Sequence, residues 1–484
     1  MNRHMIVKAL VCASLVALVG WAVSCAINPV TGKNELMLMS SADELAMGQQ
    51  ANPQILQTYG KYEDADLARY VAGLGKTLGA LSHQPNLAYN IQVLDSPVVN
   101  AFAVPGGYVY LTRGILAYLN DEAELAGVVA HEIGHIAARH SAQQYSNAQI
   151  AQVGLGLGSA FSKTFRKYAG IAQAGVGLLF LSFSRSDERE ADALGVEYSA
   201  KAGYDSNHMA NLFVSLERLN PGQAQGGLPG WFSTHPNPEN RIAAIQRDTQ
   251  VWREKIQQTR FAVNRDQYLK QIDGIVFGED PRQGYVEGNV FYHPALRFQF
   301  PVPAGWKVNN TASQVQMINQ DQNAVILFAM APEKSPAAAA DAFVNESKAA
   351  LIKSESTKVN GMPARRMVSD VTTEQGVIRV MSYFIQKGQT VYAFLGYTEQ
   401  PRFSGYSSVF EQTMGRFDNL TDSGKINVKA DRLDVKRTSS QGSLRQALQK
   451  FGEAENQGEA LAIINGMKLD DPVASNTFLK VVVK

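Results

Sequence analysis

The chain has 484 residues, and its 45 lysines and arginines nearly balance its 44 acidic residues to give a formal net charge of +1. A nucleic-acid-binding protein carries a basic surplus, so this balance excludes nucleic acid as an expected partner. The hydrophobic fraction of 45% and the charged fraction of 18% are typical of packed globular structure, and the length favours about three domains.

Residues 1–24 have the features of a secretory signal: a basic start, an apolar run and small residues before Cys25. The segment resembles the signal peptides of bacterial lipoproteins, which implies cleavage before Cys25 and lipid attachment to that cysteine. Several acyl chains would give stable membrane anchoring to the lipidated leader, residues 25–41. Ala26 after the cysteine favours the outer membrane by the sorting rule of such lipoproteins. The alternative is an uncleaved membrane anchor.

The stretch GVVAHEIGHIAARHS, Gly127–Ser141, places two histidines and a glutamate in an apolar, helix-forming run. A helix turns by about 100° per residue, so His131 and His135 lie on one face and can reach a single ion. Glu132 lies close enough to contact a water held on that ion, which is the physical content of the HExxH pattern. The pattern also arises by chance, so the interpretation needs a third ligand. His140 is expected at the surface, because it would point away from the ligand face.

A second predicted helix offers the third ligand within FSRSDEREADALG. Glu188 and Asp192 are four residues apart and share a face, whereas Glu190 is rotated by about 200° from Glu188 and should look away. We expect Glu188 to bind the metal and Asp192 to orient a ligating imidazole through its second nitrogen. The alternative is a charged, solvated helix start, and that is the prediction for Glu190.

These motifs together resemble the gluzincin-type zinc endopeptidases that include the prenyl-protein (CAAX) protease and the bacterial HtpX protease. The family pattern is HExxH followed by ExxxD, here HEIGH and EREAD. The resemblance implies Zn²⁺ bound by His131, His135 and Glu188. It also implies that Glu132 is the general base and that Asp192 has a supporting role. Two further segments fit the family, and the four matches extend over roughly residues 42–260.

The first of these segments is NAFAVPGGYVYLTRGIL, which resembles the family's strand beside the cleft. The predicted substrate-binding residues in it are Asn100, Tyr108, Val109 and Tyr110. We expect an extended substrate to add to an edge strand near Tyr108–Leu111, where backbone hydrogen bonds would supply affinity with little sequence preference.

The second segment is STHPNPENRI, where His235 precedes a proline and is therefore expected on a rigid loop. We expect His235 to enter the cleft, either to stabilise the oxyanion or to act as a fourth, displaceable zinc ligand. The alternative is a loop histidine that caps the next helix. Arg241 is predicted to pair with an acid or to hold the substrate backbone, with a surface salt bridge as the alternative.

The insert between the two predicted zinc helices, Ile150–Ser184, is apolar, rich in glycine and interrupted by a basic patch. Each apolar half is shorter than the roughly 20 residues of a membrane-spanning helix, so we predict a mobile helical flap over the cleft. A transmembrane hairpin is the alternative.

Beyond a predicted linker at 263–283, short strand patterns and one helix predict an α+β domain of unknown role over 284–422, weakly similar to PsbP/Mog-like modules. Residues 428–484 have the order strand, two short helices, strand. They resemble a LysM module, which implies peptidoglycan as a ligand, although QGSL replaces the usual GDTL. A docking module without a sugar site is the alternative.

The expected fold is therefore multidomain. It consists of a mainly α zincin-type peptidase domain with a small β-sheet over 42–262, then the α+β domain and a LysM-like βααβ module. The expected function is a periplasmic, lipid-anchored zinc endopeptidase that cleaves unfolded or misassembled envelope proteins by attack of a zinc-bound water. The competing hypothesis is a chaperone-like or peptidoglycan-binding lipoprotein with a structural zinc site. Glu132 argues against it, because a structural site needs no base.

Overall fold

The computed structural model describes residues 25–146, 182–219, 230–236, 240–373 and 376–484. The predicted signal peptide, and the predicted flap up to residue 181, lie outside these residues. Within the described part of the chain, no helix is both long enough and apolar enough to cross a membrane.

The described helices follow one another from the leader to the final module. They are α1 Ser41–Tyr59, α2 Ala65–Ala80, α3 Arg113–Tyr118, α4 Glu122–Ala137, α5 Arg185–Lys201, α6 His208–Arg218, α7 Trp231–Thr234, α8 Arg241–Ile256, α9 Arg265–Gln271, α10 Pro336–Ser347, α11 Phe403–Met414, α12 Ser423–Ile426, α13 Leu444–Lys450 and α14 Gly458–Ile464. Short 3₁₀ turns occur at Pro281–Gln283, Gln400–Arg402 and Glu455–Gln457.

The described strands fall into a short leader hairpin, a small peptidase sheet, and a larger set in the second half of the chain. They are β1 Cys25–Ile27, β2 Asn34–Leu36, β3 Asn90–Leu94, β4 Ala101–Val104, β5 Tyr108–Thr112, β6 Tyr285–Glu287, β7 Val290–His293, β8 Phe298–Pro301, β9 Lys307–Asn310, β10 Gln314–Ile318, β11 Ala324–Ala331, β12 Ala350–Val359, β13 Met362–Thr373, β14 Gly376–Lys387, β15 Thr390–Glu399, β16 Asp418–Asn419, β17 Arg432–Arg437, β18 Gly442–Ser443, β19 Pro472–Val473 and β20 Phe478–Val483.

The two helices that carry the predicted ligands have well-defined starts. The Asp121 side chain accepts a hydrogen bond from Glu124 N at the start of α4, and every residue of α4 is buried. Ser184 and Asp187 form a reciprocal capping box at the start of α5. The side chain of each accepts a hydrogen bond from the backbone N–H of the other, which satisfies two amides that the helix leaves unpaired. Helix α4 ends at Ala137, and Arg139 then adopts a left-handed φ of 61°, which redirects the chain.

The peptidase sheet has the strand order β3-β5-β4, so β5 is its central strand. Strand β5 pairs in parallel with β3 and antiparallel with β4. The prediction that the strand containing Tyr108, Val109 and Tyr110 is an edge strand is therefore wrong. Both strands of the hairpin have the same apolar pattern, and only the pairing with β3 decides which one is internal. Among the described residues, β3 and β4 are the two edge strands of this sheet, and β3 is bridged near its end by Lys61, which leaves β4 as the freer edge.

The segment 263–283 differs from its prediction as a linker. It contains α9, and Tyr268, Leu269, Ile272 and Ile275 are buried in the hydrophobic core of the peptidase region. The Tyr268 hydroxyl donates a 2.6 Å hydrogen bond to Leu116 O. The segment is an integral part of the core, because its apolar side chains recur at helical spacing and face α3 and α4.

The second half of the chain is rich in β-structure. A seven-stranded antiparallel sheet has the order β12-β13-β14-β15-β11-β10-β9, and a four-stranded sheet has the order β16-β8-β7-β6. Helix α10 covers one face of the large sheet, where Phe343 packs in one apolar cluster. Helix α11 contributes Phe410 to a second cluster between the two sheets. The chain is thus multidomain, with a mainly helical first region and a sheet-rich second one.

The final module has strands β17 and β20 paired antiparallel, with α13 and α14 between them in the chain. Its apolar side chains belong to the same hydrophobic core as the peptidase helices, including Leu433, Leu461 and Leu479. Lys480 is fully buried, and its Nζ donates to Ala117 O at 2.8 Å and to Leu119 O at 2.7 Å, at the end of α3. The module has the predicted element order, but it packs as a continuation of the peptidase core.

Candidate metal centre

Two glycines allow the helices that carry the predicted ligands to pack closely. A Cβ atom at Gly134 would lie 3.1 Å from Leu194 Cβ and 3.2 Å from Ala191 O. A Cβ atom at Gly195 would lie 3.3 Å from His131 N. Such contacts are tighter than side chains normally make, so glycine at both positions permits the short distance between α4 and α5.

Four fully buried side chains meet between α4, α5 and the turn after α7. They are His131, His135, Glu188 and His235, and one nitrogen or oxygen atom from each lies within 4.8 Å of all the others. His135 Nε2 lies 3.1 Å from His131 Nε2 and 3.4 Å from Glu188 Oε1. His235 Nδ1 lies 3.4 Å from His131 Nε2 and 2.9 Å from Glu188 Oε1.

These distances fit a tetrahedral ion. Ligand atoms at about 2.0–2.2 Å from such an ion lie about 3.3–3.6 Å from one another, which is close to the separations described above. Without a cation, this convergence would bring the lone pairs of three imidazole nitrogens and one carboxylate oxygen together in a buried site. The donor set is also the one that zinc prefers, so the residues present fit a zinc ion.

The electrostatics at Glu188 and His135 favour the protonation states that metal binding needs, whereas the Glu188 and Glu132 carboxylates outweigh burial and raise the pKa of His235. Burial alone would raise the pKa of Glu188, but His235 and the hydrogen bonds from His135 and His235 outweigh it and lower that pKa. Burial lowers the pKa of His135 well below its ordinary value. An ionised carboxylate and a neutral imidazole are both ready to ligate a cation.

His131 is held from behind by a carboxylate. Its Nδ1 lies 3.0 Å from Asp192 Oδ1, and Asp192 in turn accepts a 2.6 Å hydrogen bond from Arg241 Nη2. Arg241 Nη2 also lies 3.2 Å from Glu188 Oε2, and the guanidinium carbon is 3.8 Å from the centre of the Phe213 ring. Arg241 is 3% exposed, so it pairs with buried acids, which is one of the two roles predicted for it.

The surroundings of His135 differ from the sequence-based expectation. His140, expected at the surface, is only 3% exposed, and its Nδ1 lies 2.9 Å from His135 Nδ1. Glu190, expected to look away, lies 3.3 Å from His140 Nε2 through its Oε2. The expectation for His140 extended the geometry of α4 beyond its end, whereas the left-handed Arg139 places His140 beneath His135. Glu190 lies outside the ligand cluster, as its rotation from Glu188 on α5 predicts, but it contacts His140 and is not fully solvated.

Glu132 lies beside the ligand cluster and has no exposed surface. Its Oε1 is 3.5 Å from His235 Nε2, and neither carboxylate oxygen accepts a hydrogen bond from any described residue. Burial raises the pKa of Glu132, although His235 and His131 oppose this shift. A buried carboxylate without a hydrogen-bond donor is costly to a fold, so its retention here fits a chemical role.

Two aromatic side chains that sequence analysis missed line the centre. The Phe183 ring stacks on His135 at 4.0 Å between ring centres, and the Trp231 ring stacks on His235 at 4.4 Å. The sequence offered only one indication of their role, which is that each residue lies a few positions before a predicted site residue. Stacking restricts ring rotation, so Phe183 and Trp231 help to fix the orientation of the two imidazoles.

The predicted substrate residues lie on one side of this centre, but not as predicted. Asn100 is fully buried immediately before the edge strand β4, and Thr112 N donates a 3.1 Å hydrogen bond to Asn100 O. Val109 and Tyr110 have no exposed surface, and they lie with Tyr108 on the central strand. The backbone of β4, not that of β5, is therefore the one available to an added strand.

The site defines a class of protein. Two imidazoles one helical turn apart, a glutamate from a second helix and an unpartnered glutamate carboxylate beside them are the arrangement of an HExxH metallopeptidase. The model of Peptidase family M48 matches residues 63–249, which contain the HExxH helix, α5 and most of α8. The chain belongs to peptidase family M48, and the resemblance expected from HEIGH and EREAD is confirmed.

Named relatives agree with this assignment. The chain is 31% identical over 242 residues to the mitochondrial metalloendopeptidase OMA1 of Schizosaccharomyces pombe, covering 47% of this chain and 68% of that protein. It is 30% identical over 224 residues to the beta-barrel assembly-enhancing protease of Escherichia coli O157:H7, covering 44% of this chain and 45% of that protein. The chain thus spans less than half the length of this second relative.

Solved structures resemble the chain only weakly. The solution structure of cyanobacterial PsbP from Synechocystis sp. PCC 6803 aligns with 28% of this chain and 96% of its own, at 15% identity and a TM-score of 0.23. A likeness of this size assigns no role to any part of the chain.

Proposed function

We propose that this chain is a zinc-dependent endopeptidase of the bacterial cell envelope that cleaves misfolded or misassembled envelope proteins. The observation that carries the proposal is the buried carboxylate of Glu132, which accepts no hydrogen bond from any described residue and lies beside four converging ligand atoms. Membership of peptidase family M48 supports the reaction type. The substrate class is suggested by a relative whose name describes it as enhancing β-barrel assembly.

His131, His135 and Glu188 would hold the zinc ion. Bound zinc supplies a Lewis acid that polarises the scissile carbonyl and lowers the pKa of the attacking water. Glu132 accepts the proton of that water through a carboxylate oxygen that no described residue occupies, and then delivers the proton to the leaving amine. Asp192 keeps the Nδ1 proton on His131, which directs the Nε2 lone pair towards the centre.

The substrate would bind along β4 as an added antiparallel or parallel strand. Thr112 N donates to Asn100 O, so the backbone groups of Asn100 point towards β5. In an antiparallel pair, residues bonded in this way alternate along the strand with residues whose backbone N–H and C=O groups point away from the partner strand. In the register of β4 with β5, the outward groups therefore belong to Ala101 and Ala103. Backbone pairing would accept many sequences, which suits an enzyme whose substrates share a folding state and not a motif.

His235 would occupy the fourth position around zinc in the resting enzyme. Its Nδ1 lies within 3.4 Å of atoms from two of the proposed ligands, which supports ligation over the alternative role in oxyanion stabilisation. A catalytic zinc site must keep one position open for water and substrate. The resting enzyme would therefore need His235 to move before cleavage.

The proposal also includes the location of the enzyme. A periplasmic protein anchored to the outer membrane by lipid on Cys25 would meet envelope proteins, and its LysM-like final module would add peptidoglycan as a ligand. These parts depend on the lipoprotein-like signal and on the strand–helix–helix–strand order of residues 428–484.

Glu132→Gln tests the proposed reaction, because an amide cannot accept the proton of the attacking water. We expect the variant to keep one zinc per chain and to lose cleavage of unfolded casein by several orders of magnitude. The matched control is Glu197→Gln. Glu197 shares a helix face with none of the proposed ligands and pairs with Lys201 at the surface, so this variant should cleave normally. Near-normal cleavage by Glu132→Gln with zinc retained would refute the role of Glu132 as the base, whereas zinc binding without casein cleavage by the unsubstituted chain would favour the chaperone-like alternative.

A further inference from the structure

His135 requires an acceptor that the HExxH pattern does not supply. When a histidine binds metal through Nε2, its Nδ1 carries the proton, and a buried N–H must donate to something. For His131 the nearest acceptor is the Asp192 carboxylate, whose Oδ1 lies 3.0 Å from Nδ1. For His135 the corresponding neighbour is another imidazole, since His140 Nδ1 lies 2.9 Å from His135 Nδ1.

This contact fixes the hydrogen-bond direction along a short chain of side chains. If His135 Nδ1 donates, His140 Nδ1 must accept, so the proton of a neutral His140 lies on Nε2. That Nε2 faces Glu190 Oε2 at 3.3 Å, and Glu190 accepts. The side chain of Glu190 is 33% exposed, so this series of hydrogen bonds ends in a partly solvated carboxylate.

The backbone around His140 is built to hold this position. Arg139 adopts its left-handed φ of 61° while buried at 5% exposure. Its Nε donates a 2.7 Å hydrogen bond to Glu44 Oε1, and its Nη2 donates to Met39 O at 2.9 Å. A non-glycine residue in this conformation is strained, so these contacts from the leader and α1 stabilise the turn that places His140.

We propose that His140 and Glu190 form a positioning pair for the metal ligand His135, equivalent in purpose to Asp192 and Arg241 behind His131. The pair links the end of α4 to α5 and fixes the ring of His135 from the side opposite the metal. This inference rests on the proposed zinc site, and it adds two residues that contact neither the metal nor the substrate. Loss of such a contact typically weakens metal binding by about 10- to 100-fold.

The test measures zinc affinity of the full chain by competition with a chromogenic chelator. His140→Leu removes the acceptor at similar volume, and we expect its zinc affinity to fall at least about 10-fold. His140→Asn places an amide oxygen near the position of Nδ1 and should restore affinity to within about threefold of the original chain. Glu190→Ala should weaken binding, whereas Glu197→Ala on the same helix should not.

Cobalt gives a second readout that a packing role would not produce. Co²⁺ bound in place of zinc absorbs visible light according to its ligand geometry, so His140→Leu should alter the spectrum, and His140→Asn should restore it. Unchanged affinity in His140→Leu would overturn the proposal, and so would His140→Asn binding as weakly as His140→Leu. A chain that binds no zinc even without substitution would refute the proposed metal centre itself, which is a distinguishable failure.

Discussion

His235 is the residue whose placement says most about how the site is controlled. Its backbone N–H donates to Trp231 O at 2.8 Å, and the Trp231 ring stacks on its imidazole. The side chain is therefore fixed by one short turn, α7, and not by either of the helices that carry the proposed ligands. A displacement of that turn would remove His235 and leave His131 and His135 in place.

We expect His235→Ala to raise basal cleavage of casein while zinc binding is retained, because the fourth position becomes open to water. A peptidase assay with a parallel metal determination measures both effects. His83→Ala is a suitable control, since His83 is exposed and contacts the Tyr198 hydroxyl, away from the centre. Lower cleavage with zinc retained would instead identify His235 as a transition-state donor worth roughly 2–4 kcal/mol.

The sequence predicted the site residues well where they lie inside regular helices. His131 and His135 on α4, and Glu188 and Asp192 on α5, lie where the helical period of 3.6 residues predicts that they share a face. His140 was missed because the period no longer applies after a left-handed residue. A cluster of polar residues just beyond a helix end therefore cannot be placed by periodicity alone.

At the scale of elements, the order of two strands determines where a substrate can bind. Strand β5 is paired on both sides, and β4 presents the outward backbone groups of Ala101 and Ala103. The methyl groups of these two alanines pack in the core that α4 shares. The same strand therefore connects a possible peptide contact directly to the metal helix.

Ala103→Pro should impair substrate binding, because proline removes an outward N–H yet is tolerated on an edge strand. Loss of one such hydrogen bond corresponds to about 1 kcal/mol, so we expect KM for casein to rise about fivefold. Ala103→Gly keeps the N–H and is the matched control, and thermal unfolding should be followed for both. If the two variants share the same KM, substrate does not pair with this edge.

Sequence could not decide between these two strands for a physical reason. The hairpin from Ala101 to Thr112 is apolar throughout, since each strand is covered on both faces, so alternation of polar and apolar residues is absent. Pairing with β3, whose sequence lies before the hairpin, then makes β5 the inner strand. Long-range pairing of this kind leaves no local signal.

At the scale of the whole molecule, the final module supports the peptidase region through one buried cation. Lys480 lies at the end of α3, and burial lowers its pKa well below the ordinary value, with Glu124 of α4 opposing the shift. Burial also raises the pKa of Glu124, and each group opposes the shift of the other because an ammonium and a carboxylate attract. Helix α4, which holds the proposed ligands, is thus coupled to β20.

We expect Lys480→Met to destabilise the full chain by about 3 kcal/mol, because the buried carbonyls of Ala117 and Leu119 would lose their hydrogen-bond donor. Urea unfolding followed by tryptophan fluorescence would measure the change. Lys436→Met in the same module is the matched control, since Lys436 is partly exposed and its acidic neighbours are 3.8 Å away. Equal stability of the two variants would show that Lys480 makes no special contribution.

The division into domains was the part that sequence described least well. Composition and strand patterns separate residues 284–422 from their neighbours, because that region has its own apolar clusters. Residues 265–275 and 433–481 instead complete the core that begins at Leu67. The order of segments in the chain therefore does not predict the domain boundaries here, because the last segment packs into the first core after a complete intervening sheet domain.

This shared core also joins the ligand helices to residues that are synthesised long after them. The ligand helices are synthesised long before Leu479 and Val481, which close the same hydrophobic core. Joining segments so distant in sequence carries a loop-closure entropy that slows folding. A growing chain would therefore carry every proposed ligand before the core around them is complete.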